Sequence, residues 1–108
     1  MEYDYSPASA YRDLRISMRA DEDYDVVVTE QGLVVHGKLF AFPDGDDLVV
    51  ELAEARARDL LERGVADPYL ENGEPSARRV RVSDLQLWPE LAREAHNFVG
   101  EPAVGGES

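Results

Sequence analysis

The chain of 108 residues contains no cysteine. Disulfides, thiolate metal sites, iron–sulfur clusters and cysteine nucleophiles are therefore excluded for its own residues. Positive charge is also scarce, with 11 Lys and Arg against 23 Asp and Glu and a formal net charge of −12. This balance argues against nucleic acids and anionic membranes as partners, because both are bound through cationic faces.

Long apolar runs and the common catalytic signatures are missing as well. No run approaches the length of a membrane span, and the first residues lack the basic and then apolar character of a secretion signal. There is no Gly-x-Ser-x-Gly elbow and no glycine loop in front of a helix that would cradle a phosphate. The sequence therefore predicts a cytoplasmic protein with no cofactor, no metal and no enzymatic activity, an unrecognised enzyme being kept as an alternative.

Apolar residues at spacings of three and four predict three helices. The first covers residues 7–20 behind a Ser6 N-cap, and the second covers residues 52–63. The third begins at Ser83 or, because Pro89 has no amide proton to donate, near that proline.

Runs of β-branched and aromatic residues predict five strands, at 26–29, 33–35, 38–42, 47–51 and 79–82. The glycine that ends the short stretch between the second and third runs indicates a hairpin, and the stretch 67–75 indicates a loop. The order α-β-β-β-β-α-β-α predicts an α+β fold, a two-layer sandwich with helices on one face of a mostly antiparallel sheet. Residues 7–99 are expected to form one domain between tails at 1–6 and 100–108.

The strands are apolar at both alternating positions, although a two-layer sheet needs only one apolar face. Three helices are too few to cover both faces, so we expect another chain to cover the second face. The residues expected at that interface are Val27, Val34, Phe40 and Val49. This pattern predicts a homodimer or a domain that binds another protein, with acidic edges that select a basic partner.

A basic cluster offers an alternative function. Arg78, Arg79 and Arg81 lie close together, and on a strand Arg79 and Arg81 share one face. Such a face can grip a carboxylate or a phosphate, so a binder of small anionic ligands is the alternative to protein association.

The remaining polar residues predict no site. Asp44, Asp46 and Asp47 surround a glycine, but a calcium loop needs a longer run with a distal glutamate. The acids at 21–23 and 25 form a second solvated run. His36 and His96 each lack a second histidine at helical spacing, so zinc is not expected.

Four segments, in order, resemble the N-terminal domain of the TfoX/Sxy family. They are residues 32–41 (GLVVHGKLFA), 46–52 (DDLVVEL), 73–82 (GEPSARRVRV) and 88–99 (WPELAREAHNFV). The chain departs from the family at Arg79, where tryptophan is common, and before the first turn, where Met-Phe-Gly is common. The resemblance implies a two-layer α/β sandwich and no catalytic residues, and it does not carry over the competence role of the family's regulators.

Overall fold

The structure, a computed structural model, describes residues 6–20 and 25–100. Helix α1 spans Pro7–Arg19 and begins where the sequence predicts. The Ser6 hydroxyl accepts a hydrogen bond from the amide of Ser9 at 3.2 Å, and Pro7 occupies the first turn, where no amide donor is needed. One side of α1 is buried, so the helix is fixed by packing as well as by its cap.

Six strands form one antiparallel sheet with the order β1-β2-β3-β4-β6-β5. They are β1 (Val26–Val28), β2 (Leu33–Val35), β3 (Lys38–Asp44), β4 (Asp47–Glu51), β5 (Asp67–Glu71) and β6 (Glu74–Val82). The predicted α+β class with three helices is confirmed. Strands β1 and β5 are the two edges of the sheet.

The sheet has one strand more than predicted, because residues 67–75 form a hairpin and not a loop. Its turn is Asn72-Gly73, and both residues have positive φ, at 56° and 83°. Asn-Gly is the pair that type I′ hairpin turns prefer, since both positions require this conformation. The Pro and Gly content that indicated a loop therefore marks the turn and the irregular edge of β5.

Two helix boundaries also have clear physical causes. Helix α2 spans Glu54–Glu62 and starts later than predicted, because the Leu52 amide donates to the Arg78 carbonyl oxygen at 2.8 Å and so extends the sheet. Helix α3 spans Trp88–Gly100 after a short 3-10 turn at Leu85–Leu87. Pro89 thus lies in the first turn of α3, which confirms the second of the two predicted starts.

The core lies between the three helices and one face of the sheet. Its members are the buried apolar residues of one contiguous cluster, among them Leu14, Met18, Val26, Leu33, Phe40, Leu48, Val50, Leu60, Val80, Val82, Trp88 and Leu91. The indole of Trp88 is buried and donates through Nε1 to the carbonyl oxygen of Val82 at 2.9 Å, which satisfies its polar group. The helices therefore cover one face of the sheet, and none of the three packs on the other.

Candidate functional site

The face of the sheet that points away from the helices carries an apolar row. Val27 on β1 pairs with Val34 on β2, and Val34 pairs with Leu39 on β3. Directly opposed residues point to the same side of a sheet, so these three side chains form one row across three strands. We call this side the outer face, defined by Val27, Val34, Leu39, Phe42, Val49, Arg79 and Arg81, and its first three residues the apolar row.

The apolar row is accessible. The edge residue Val27 is 56% exposed, and Val34 and Leu39 are partly buried. The strand neighbours of Val27 and Val34 alternate with them and belong to the core, as Val26, Leu33 and Val35 do. Val27 and Val34 therefore point away from the helices, and their place in an interface stays a prediction.

Phe40 does not lie on the outer face, and this prediction is wrong. Leu33 and Val34 are adjacent on β2, yet their partners Ala41 and Leu39 are two apart on β3. Phe40 is the extra residue of a β-bulge, which breaks the alternation of sides along β3. Its ring is 1% exposed and packs edge-on against the His96 ring of α3, with centroids 5.5 Å apart.

Val49 lies on the outer face but is not accessible. It pairs with Phe42 on β3 and with Arg81 on β6, and its side chain is 0% exposed. Phe42 packs edge-on against Tyr69 at 5.6 Å, and the Arg79 guanidinium lies 5.6 Å from the Phe42 ring centroid. The chain covers this half of the outer face with its own long side chains, so Val49 is a poor interface position.

The two predicted arginines of the outer face are bound by carboxylates of the same chain. Arg81 pairs with Asp47 at 2.6 Å. Arg79 pairs with Glu51 and with Glu71, each at 3.1 Å. The hydrogen bond with Asp47 is the main reason that the pKa of Arg81 is raised above its ordinary value. The prediction that Arg79 and Arg81 share a face is confirmed, but their charges are already compensated.

Arg78 is separated from these two arginines. Alternation along β6 turns it away from the outer face, and its guanidinium lies 5.8 Å from the ring centroid of Phe98 on α3. The three predicted arginines therefore do not form one anion site. The carboxylates that neutralise two of them come from β4 and β5, which sequence spacing alone does not reveal.

Two histidines that the sequence treats as unrelated meet at one carboxylate. His96 donates from Nε2 to Asp25 Oδ1 at 2.8 Å, and His36 Nε2 lies 3.6 Å from Asp25 Oδ2. His36 also donates from Nδ1 to the carbonyl oxygen of Gly100 at 2.9 Å. The hydrogen bond from His96 is the largest reason that the pKa of Asp25 lies below its ordinary value.

This cluster ties the turn after β2 and the end of α3 to the residue before β1. Across residues 6–20 and 25–100, no group of three His, Cys, Asp or Glu side chains is arranged to hold a metal ion. Of the acids around Gly45, Asp47 is the partner of Arg81, and Asp44 faces Asp47 at the end of the β3–β4 hairpin. The acids at 21–23 lie outside the described residues.

Sequence reasoning missed Leu39 and Phe42 as outer-face residues and missed Asp25 as the partner of both histidines. The bulge on β3 explains the first omission, because a strict period of two assigns Phe40 in place of its neighbours. The second omission is a contact across 71 positions of the chain. No local signal in the sequence indicates such a contact.

Comparison with known proteins identifies no relative of this chain. No family model, no curated protein and no solved structure matches the chain. The resemblance to the TfoX N-terminal domain stays a prediction. Among the helices of the described ranges, none has both the length and the apolar character needed to cross a membrane.

Proposed function

We propose that this chain is a protein-association domain whose apolar row packs against the same row of a second copy. The single observation that carries the proposal is the position of Val27, Val34 and Leu39 on a face that no helix of the described chain covers. A flat row of branched side chains at a sheet edge gains free energy when it is removed from water. The kinship with the TfoX N-terminal domain and a cytoplasmic location are part of this proposal.

The charge distribution of the outer face supports a second copy as the occupant. The chain as a whole has a formal net charge of −12, so two copies repel each other at long range. On the outer face, however, Arg81 compensates Asp47, and Arg79 compensates one of the two glutamates that it contacts. The apolar row itself carries no charge. Two copies can therefore meet through this face with much less repulsion than the net charge suggests.

A small-anion binder receives less support from the geometry. An anion that entered between Arg79 and Arg81 would have to displace Glu51, Glu71 and Asp47 from their ion pairs. The remaining alternative is a different protein seated on the same apolar row, as in a regulatory adaptor.

Replacing Val27 with Asp tests the proposal. The variant places a carboxylate in the apolar row, and we expect the dimer to weaken by at least about tenfold, because burying an unpaired charge is costly. Light scattering after size-exclusion chromatography, over a wide range of concentration, measures the mass relative to the 12.1 kDa of one chain.

Ile16→Asp is the matched control, because Ile16 is also exposed, at 62%, but lies on α1 behind the sheet. It should leave the dimer intact. A wild-type protein that is monomeric at every concentration contradicts the homodimer. A stable partner complex that Val27→Asp abolishes, formed by a monomeric wild type, would favour the adaptor instead.

A further inference from the structure

A groove of about 380 Å³ lies between α1 and β1 at the free edge of the sheet. We call it the edge groove, and its lining is Arg12, Arg15, Ile16, Arg19, Ala20 and Val28. Ala10, Leu14 and Met18 hold α1 on the core, so the residues that face the groove project from another side of the helix. The groove is therefore formed by elements that are fixed by the core.

Strand β1 borders this groove with backbone amides and carbonyls that pair with no other strand of the described chain. The amide of Thr29 donates to the carbonyl oxygen of Gly32 at 2.8 Å, which identifies these residues as a hydrogen-bonded pair next to the turn. Such pairs recur at every second residue of an antiparallel ladder, so the next one joins Val27 and Val34 through their backbone amides and carbonyls. The amides and carbonyls of Val26 and Val28 consequently point to the open edge, where no strand of the described chain pairs with them.

Three arginines line the groove, and one of them, Arg12, is ion-paired with Asp13 at 3.8 Å, so the lining keeps a net positive charge. Arg12, Arg15 and Arg19 stand one and two helical turns apart on α1. Within residues 6–20 and 25–100, Arg15 Nε is a buried donor that has no hydrogen-bond acceptor, and its guanidinium lies 5.3 Å from the Tyr11 ring centroid. A buried donor without an acceptor is rare and costly, and a carboxylate that reached this guanidinium would supply an acceptor.

We propose that the edge groove binds an extended acidic segment of another protein, which adds as a strand to β1. Its backbone would pair with the free amides and carbonyls of Val26 and Val28, as in other cases of strand addition. Alternate side chains of a strand point to opposite sides. Carboxylates at every second position would therefore reach the arginines of α1, while the apolar residues between them would extend the row that begins at Val27.

An acidic protein segment fits this groove better than a nucleic acid does. A polyphosphate chain would meet three arginines and then the field of a protein with a formal net charge of −12. A short acidic strand brings fewer charges into that field, and Ile16 offers an apolar surface beside the arginines. Carboxylates accept paired hydrogen bonds from guanidinium groups, which matches the donors that line the groove.

Fluorescence anisotropy with a labelled peptide, Gly-Glu-Val-Glu-Val-Glu-Gly, tests the proposal on the full chain. We expect binding that weakens with added salt and that drops by about tenfold or more in the double variant Arg15→Ala/Arg19→Ala, because two charge-assisted contacts are lost. Arg58→Ala/Arg63→Ala is the matched control, because it removes the same charge from exposed positions around α2. This control should bind the peptide as the wild type does.

Two further peptides distinguish strand addition from simple charge attraction. A version N-methylated at every glutamate and valine cannot donate to the β1 edge in either strand direction, and a version with lysine in place of glutamate cannot pair with the arginines. Both should fail to bind. No binding of the acidic peptide, equal binding of the N-methylated peptide, or displacement by a single-stranded oligonucleotide would each overturn the proposal.

This inference does not depend on the homodimer, because the dimer uses the face of the sheet and the added strand uses its edge. Val27 borders both surfaces, so the two proposals are separated by variants at other positions. Val34→Asp should weaken the dimer and leave peptide binding unchanged, since Val34 lies one strand away from the open edge. Arg15→Ala/Arg19→Ala should leave the dimer unchanged. Failure of one proposal is therefore measured separately from failure of the other.

Discussion

Asp25 joins three separate parts of the chain through one carboxylate. It accepts a hydrogen bond from His96 of α3 and lies beside His36 of the turn between β2 and β3, which in turn contacts Gly100. His96 is buried, so the carboxylate also satisfies a polar group inside the core. At the residue scale, this contact fixes the start of β1, the strand that both proposals use.

We expect Asp25→Asn to lower the free energy of unfolding by about 1–3 kcal/mol at neutral pH, because it weakens a hydrogen bond to a buried group. The difference in unfolding free energy between the wild type and Asp25→Asn should become smaller as the pH falls. The folded-state pKa of Asp25 is lowered, so its stabilisation is complete above the unfolded-state pKa of about 3.9 and is lost as pH falls through the folded-state pKa. Urea denaturation over a range of pH measures both effects.

Glu30→Gln is the control for this experiment, because Glu30 lies exposed in the turn between β1 and β2. It removes the same charge and should leave stability nearly unchanged at each pH. A loss in Asp25→Asn that stays constant from neutral to strongly acidic pH contradicts the assigned role of the carboxylate.

At the scale of elements, the bulge on β3 decides which aromatic residues reach the outer face. It turns Phe40 into the core together with Ala41 and leaves Leu39 and Phe42 on the outer face. The predicted strand was present in nearly the predicted position. Its orientation could not be predicted, because one extra residue reverses every later side chain and leaves no mark in the hydrophobic pattern.

Alanine substitutions on either side of the bulge test this orientation. We expect Phe40→Ala to cost about 3–5 kcal/mol of stability, because it opens a cavity in the core. Leu39→Ala, on the outer face, should cost clearly less in the monomer. Denaturation of both variants at low protein concentration gives the comparison, and a larger loss for Leu39→Ala would show that the assignment of faces is reversed.

Other elements show why local signals succeed and fail. The start of α1 was predictable because a serine cap and a proline act within one turn. The hairpin of β5 and β6 was missed although Asn72-Gly73 is a strong turn signal, because the prolines at 68 and 75 are unusual in strands. Pro68 is tolerated because β5 is an edge strand, and Pro75 is tolerated because it lies in the part of β6 that pairs with β5 alone. Both positions follow only from the whole topology.

At the scale of the whole molecule, composition gave the net charge but not its distribution. The excess of acid is compensated on the outer face by Arg79 and Arg81, and it is reversed locally in the edge groove by the arginines of α1. The partners of Arg79 and Arg81 lie 28 and 34 positions away on β4, which only the fold brings near. Sequence therefore predicted an acidic protein, whereas the structure separates an uncharged apolar row from a basic groove.

Nuclear Overhauser effects between two copies give the most direct test of the central proposal. The sample mixes ¹³C-labelled and unlabelled protein, and the experiment detects only contacts between a labelled and an unlabelled chain. We expect such contacts at the methyl groups of Val27, Val34 and Leu39 and none at Ile16. Intermolecular contacts confined to other surfaces, or none at a concentration where the mass is that of a dimer, would contradict association through the apolar row.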